Sequence, residues 1–117
     1  MKAIFALVIL FSSLESSTET ESIDYLKKYA GVYAIKYKSI PSASDEAYAL
    51  HENGKAAWIH EWSPGKTETK HGTWTAGINQ MTISIQGNTG ILVQKFTMRN
   101  GVFTDIEDPN IYLKKQP

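Results

Sequence analysis

The sequence predicts an all-β domain, an eight-stranded antiparallel up-and-down barrel carrying a short N-terminal helix. Three observations lead there. Apolar residues recur at every second position, in segments of five to ten residues, from about Gly31 to Lys114. Between the segments lie turn formers: Asn53-Gly54, Pro64-Gly65, Ala76-Gly77, Gly87-Asn88-Thr89-Gly90 and Asn100-Gly101. An Asn-Gly pair accepts the positive φ angles of a type I′ turn, so it joins adjacent antiparallel strands with little steric cost. The segments number eight, the count at which a closed barrel has room for its own side chains or one small ligand. Closure also removes exposed strand edges. The alternatives are an open sheet or a two-layer sandwich.

The first residues differ from the rest of the chain. Lys2 is followed by the apolar run Ala3 to Phe11 and then by Ser12-Ser13-Leu14-Glu15-Ser16-Ser17. That order is the layout of a secretory signal peptide, with Leu14 and Ser16 placed at the two recognition positions before a cleavage point. The run is about nine residues, too short to cross a bilayer as a helix. We therefore read 1–17 as a signal peptide and 18–117 as a single barrel domain, secreted or periplasmic. A buried apolar strand is the competing reading. No Asn-x-Ser/Thr acceptor is present.

Next comes Thr18-Glu19-Thr20-Glu21, which fits a capping box. Ile23, Leu26 and Ala30 recur at helical spacing before Gly31, predicting a short helix from about Ser22 to Tyr29 that lies against one end of the barrel.

The first strand, Val32 to Lys38, puts Tyr33, Ile35 and Tyr37 on one face. Ile40 to Ser44, which includes Pro41, reads as a loop. Centring a two-residue turn on Asn53-Gly54 pairs Leu50 with Ala57 and Tyr48 with Ile59. The opposite face then joins Ala49 to Trp58 and Ala47 to His60, small residues facing large rings.

Pro64-Gly65 leads into a fourth strand, about Thr69 to Thr75, and Ala76-Gly77 into a fifth, Gln80 to Gln86. Pairing Trp74 with Met81 sets Met81, Ile83 and Ile85 inward. Beyond Gly90, pairing Ile91 with Ile85 and Val93 with Ile83 keeps that face apolar. Phe96 and Met98 then fall on the opposite parity, so a bulge is expected near Gln94-Lys95. Asn100-Gly101 pairs Arg99 with Val102, and Ile111 to Lys114 closes the barrel.

Composition excludes several functions. Lys plus Arg and Asp plus Glu number 12 each, so no net field attracts nucleic acid or anionic lipid. Cysteine is absent, which removes disulfides, thiolate metal sites and a cysteine nucleophile. No nucleotide loop, dinucleotide fingerprint or Ser/His/Asp order occurs, and no cofactor is implied. The reading is not an enzyme.

Further groups of residues bear on chemistry. His51 and His60 lie about 13 Å apart along the ladder, too far for one ion. His60 and His71 are placed as diagonal neighbours, a thin basis for metal. Asp105, Glu107, Asp108 and Asn110 supply oxygens, but Pro109 interrupts them and the spacing is not that of a calcium loop, so a solvated loop is expected. Trp58 and Trp62 form either an aromatic wall for a ligand or an outer contact surface, whereas Trp74 reads as core.

Tyr29-Ala30-Gly31-Val32-Tyr33, the Leu50-to-Gly54 run ending in Asn-Gly, Gly72-Thr73-Trp74, Ile83-x-Ile85 and Tyr112-Leu113-Lys114-Lys115 together resemble the small lipocalin-like barrels of bacterial envelopes. The likeness is to the N-terminal domain of the copper-resistance lipoprotein family (the NlpE type). It implies a lipocalin-like barrel and an extracytoplasmic address. The family's lipidated cysteine and Cys-x-x-Cys pair are missing, so its metal role transfers to no residue here.

The expected function is therefore binding of a small apolar or amphipathic molecule inside the barrel. The expected lining is Tyr33, Ile35, Tyr37, Tyr48, Trp58, Trp74 and Phe103. The alternative is a protein-binding module, an inhibitor or envelope-stress adaptor, that uses Trp62 and neighbouring loops around a filled interior.

Overall fold

The computed structural model describes residues 24–40 and 45–117. The expected signal peptide, the expected capping box, the start of the expected helix and residues 41–44 of the expected loop lie outside the described residues. After Asp24 the chain forms helix α1 (Tyr25–Tyr29), then β1 (Gly31–Tyr37), β2 (Glu46–Leu50), β3 (Lys55–Ser63), β4 (Lys66–Gly77), β5 (Gln80–Gln86), β6 (Ile91–Arg99), β7 (Val102–Asp105) and β8 (Ile111–Lys115). Each strand pairs antiparallel with the next, and β1 pairs with β8, so the eight strands close a barrel. Among the described residues, no helix is long and apolar enough to cross a membrane.

Helix α1 begins where the Asp24 carboxylate accepts a hydrogen bond from the Lys27 amide at 3.2 Å. That side chain satisfies an amide the helix itself leaves free. The chain turns extended at Ala30 and enters β1. Tyr29, Leu26 and Tyr25 pack on the barrel core. Tyr29 meets Phe103 edge to face at 5.0 Å, and its carbonyl accepts from the Tyr33 hydroxyl at 2.6 Å. The helix thus closes one end of the barrel.

Strand alternation sorts the chain into an inner and an outer face. Tyr33, Ile35, Tyr48, Leu50, Trp74, Met81, Ile83, Ile85, Phe96, Phe103 and Leu113 form the buried core. Each fully buried large apolar side chain there contributes about 1.5–3 kcal/mol relative to exposure.

Three hairpins depart from the expected register, each for a physical reason. At Asn53-Gly54, only Gly54 takes a positive φ, +89°. The Gly54 amide donates to the His51 carbonyl at 3.0 Å, and the His51 amide donates to the Lys55 carbonyl at 2.9 Å. The loop therefore holds three residues, a turn followed by a left-handed glycine. The register moves by one: Leu50 faces Ala56, Tyr48 faces Trp58 and Ala47 faces Ile59. A one-residue shift exchanges the faces, so Trp58 turns inward and Ile59 outward.

Between β4 and β5 the chain reverses at Ile78-Asn79, with Asn79 at φ +53°, rather than at Ala76-Gly77. The pairing becomes Trp74 with Ile83 and Gly72 with Ile85. That shift is two residues, so the inner face is kept.

Between β5 and β6 the loop spans four residues, and the Gly87 amide donates to the Gly90 carbonyl at 2.7 Å. Ile85 consequently faces Leu92, and Ile83 faces Gln94. The register runs unbroken from Gln80–Thr97 to Gln86–Ile91, so the expected bulge near Gln94-Lys95 is absent. No phase change is needed, because Leu92, Gln94, Phe96 and Met98 share the inner parity throughout. The ladder irregularity lies instead at Trp62, between Glu61 and Ser63. The Asn100-Gly101 hairpin matches its expected pairing, with φ of +52° and +79° and Arg99 opposite Val102.

Candidate functional site

The end of the barrel opposite α1 is open. A pocket of about 230 Å³ enters there, walled by Ile35, Tyr37, Glu46, Tyr48, Trp58, Lys70, Ile85, Gly87, Leu92, Gln94 and Ile111. Seven of the eight strands contribute a side chain, because alternation turns every second residue of each strand into the interior. Apolar side chains (Ile35, Ile85, Leu92 and Ile111) and polar ones (Glu46, Lys70 and Gln94) share the pocket lining.

Glu46 is the hub of that wall. Its Oε1 accepts from the Tyr37 hydroxyl at 2.8 Å, and its Oε2 accepts from Trp58 Nε1–H at 3.1 Å. Both donors come from neighbouring strands, β1 and β3, so Glu46 ties three strands together. Burial, together with the hydrogen bond to Glu46, pushes the Tyr37 hydroxyl up to about 12.

Tyr48 donates to the side-chain oxygen of Gln94, whose Nε2 donates to Asp105 Oδ2 at 3.1 Å. Burial and, after it, the charge of Glu46 raise the Tyr48 hydroxyl far above its ordinary value. Gln94 is thus a polar residue placed inward because it bridges two buried polar partners. Asp105 is 6 % exposed. Its Oδ1 accepts from the amides of Glu107 at 2.8 Å and Asp108 at 3.3 Å, fixing the loop into β8.

Lys70 and His60 both stand against the Trp58 ring. The Lys70 ammonium lies 5.6 Å from the centre of the Trp58 ring and 3.7 Å from Glu68 Oε2. His60 stands beside the Trp58 ring at 5.4 Å between centroids, and its Nε2 is 3.5 Å from Asp45 Oδ2.

Of the seven residues expected to line a cavity, Ile35, Tyr37, Tyr48 and Trp58 come together on the pocket wall. Tyr33, Trp74 and Phe103 lie toward the end covered by α1. Tyr33 bonds to Tyr29, Phe103 packs edge to face on Tyr29 and Tyr33, and Trp74 Nε1–H donates to the His51 carbonyl at 2.8 Å. Trp74 is 2 % exposed.

Sequence reasoning missed Glu46, Lys70 and Gln94. Glu46 carries the parity of Tyr48 and Leu50, so the alternation within β2 alone marks it as inward. Lys70 shares parity with Gly72 and Trp74 in the same way.

The histidine expectations also resolve. His60 faces Glu68 and His71 faces Ala57, so the two histidines sit on opposite faces rather than as diagonal neighbours. Among the described residues, no group of three or more His, Asp or Glu side chains is placed to hold a metal ion. Trp62 extends beyond the barrel rim near the Pro64-Gly65 turn, 59 % exposed, with the Lys66 ammonium 5.9 Å from its ring centre. No family model, curated protein or solved structure matches this chain.

Proposed function

We propose that this protein is a non-enzymatic, secreted or periplasmic barrel that binds one small apolar or amphipathic molecule in the open end of its barrel. The observation that carries the reading is the pocket itself. Its apolar lining residues Ile35, Ile85, Leu92 and Ile111 are accompanied by a few polar groups on Glu46, Lys70 and Gln94. Small-molecule sites have that character: mostly apolar walls, with sparse polar groups that fix orientation. The extracytoplasmic address rests on the leader-like residues 1–17, and kinship with lipocalin-like envelope barrels belongs to the same proposal. A hydrophobic fluorescent probe titrated into the protein should bind saturably and quench Trp58 emission. Absence of saturable binding across a panel of apolar probes rejects the reading.

A second reading is favoured by one observation, the exposed Trp62 ring on its protruding hairpin. It makes the protein an adaptor or inhibitor that grips another protein there. In that case Trp62→Ala abolishes partner binding while probe binding in the pocket is absent from the start.

A further inference from the structure

Glu46 is the one carboxylate on the pocket wall among the described residues. Its two oxygens accept one neutral donor each, from Tyr37 and Trp58. An ionised carboxylate offers about four acceptor positions, so roughly two have no donor among the described residues. The ion pairs formed among the described residues are His60 with Asp45 and Lys70 with Glu68. Glu46 takes part in neither.

The pocket's other charged group stands differently. The Lys70 ammonium already has a carboxylate partner in Glu68 and an aromatic face in Trp58. The wall therefore carries a negative charge with no counter-cation among the described residues, beside a positive charge that has a carboxylate partner. Asp105, behind Gln94, adds a second carboxylate, which its amide donors neutralise only as dipoles.

Leaving a half-buried carboxylate uncompensated is unfavourable, and a ligand that brings a cation relieves that. The groups flanking Glu46 suit a cation as well. Aromatic ring faces attract ammonium groups through their quadrupole, and the Lys70 ammonium already lies over Trp58. An anionic head would meet Glu46 with no free cation to balance it. An alcohol head could bond to Glu46 but would leave its charge uncancelled.

From this we propose that the pocket selects amphiphiles with a primary amine or ammonium head, which pairs with Glu46 between Tyr37 and Trp58 while the apolar tail lies on Ile35, Ile85 and Ile111. The proposal deepens the ligand-binding reading above and rests on it.

The test is a competition at neutral pH. Octylamine, octanol and octanoate, which share one tail, each displace a bound hydrophobic fluorescent probe from the full protein. Octylamine should displace it at a concentration about tenfold or more below the other two, as expected for a charge-assisted contact of about 1.4 kcal/mol. Glu46→Gln should weaken octylamine about tenfold, so that amine and alcohol compete alike. Lys70→Met, which removes the pocket's own ammonium, should still leave octylamine ahead of octanol and octanoate.

Three results overturn the amine assignment while keeping the pocket: equal displacement by all three, octanoate in first place, or octylamine preference that survives Glu46→Gln. Failure of every compound and of the probe itself overturns the pocket reading instead. Should Glu46→Gln not fold, the ranking of the three compounds on the unaltered protein still decides.

Discussion

Tyr48 and Trp58 stand directly opposite one another on the inner faces of β2 and β3. That pairing puts a phenol and an indole on one wall of the pocket, each donating to a different polar partner: Gln94 for Tyr48, Glu46 for Trp58. Its origin is the three-residue loop Glu52 to Gly54. A loop one residue shorter would turn either Trp58 or Tyr48 to the outside and dissolve the wall.

Gly54 is the residue that makes this loop. Its φ of +89° is left-handed, and a Cβ there would also lie 3.7 Å from Leu26 of α1. Gly54→Ala should destabilise the fold by about 1–2 kcal/mol, the usual cost of that backbone region for a residue with a Cβ. Urea unfolding measures it, and a midpoint equal to that of the parent protein would contradict the loop geometry described here.

A harsher effect is expected at Gly72, on the inner face of β4. A Cβ built there falls 1.8 Å from the Ser84 carbonyl oxygen of β5. The obstacle is backbone, which cannot step aside without breaking the β4–β5 ladder. Gly72→Ala should therefore lower stability by about 3 kcal/mol or more, beyond ordinary overpacking. Circular dichroism melts of the purified variant check this, and a loss under about 1 kcal/mol would show that the two strands do not approach so closely.

The sequence made the strand count, the antiparallel meander and the Asn100-Gly101 hairpin legible, because these depend on local alternation and on φ preferences of single residues. The inward phase of Met81, Ile83 and Ile85 was legible for the same reason. What it did not reveal was loop length. Asn53-Gly54 suits both a two-residue and a three-residue turn, and the choice decides the face of Trp58. In β6, the run Ile91-Leu92-Val93 offers apolar side chains at both parities, and the true inner phase carries Gln94. Only the partners on Tyr48 and Asp105, distant in sequence, explain why an amide is preferred there. The candidate site was half legible for that reason: its aromatic members stood out, while Glu46 and Lys70 went unread although strand parity marks both as inward.

Alkaline pH should unfold the barrel through its buried phenols. Burial raises Tyr33 to about 12, and burial with the Glu46 contact raises Tyr37 to about 12, from an ordinary value of 10.0. A raised phenol favours the protonated native state, so the unfolded chain releases its protons first. This stabilisation is complete below pH 10 and is lost progressively as the pH climbs from about 10 through 12. Tyrosinate absorbance should show a late phase in that window that coincides with loss of the β signal in circular dichroism. A late phase absent from the titration would contradict the burial of these hydroxyls.

The central claim is that the open end of the barrel is where a ligand sits, and plugging it tests that most directly. Ile111 begins β8 opposite Tyr37 and lines the pocket without belonging to the tightly buried core. Calorimetric titration of a hydrophobic probe into the parent protein and into Ile111→Trp compares an open pocket with a filled one. The account predicts that the indole weakens probe binding about tenfold or more while the melting temperature stays within a few degrees of the parent. Undiminished affinity in a folded Ile111→Trp protein would place the binding site elsewhere and contradict the account.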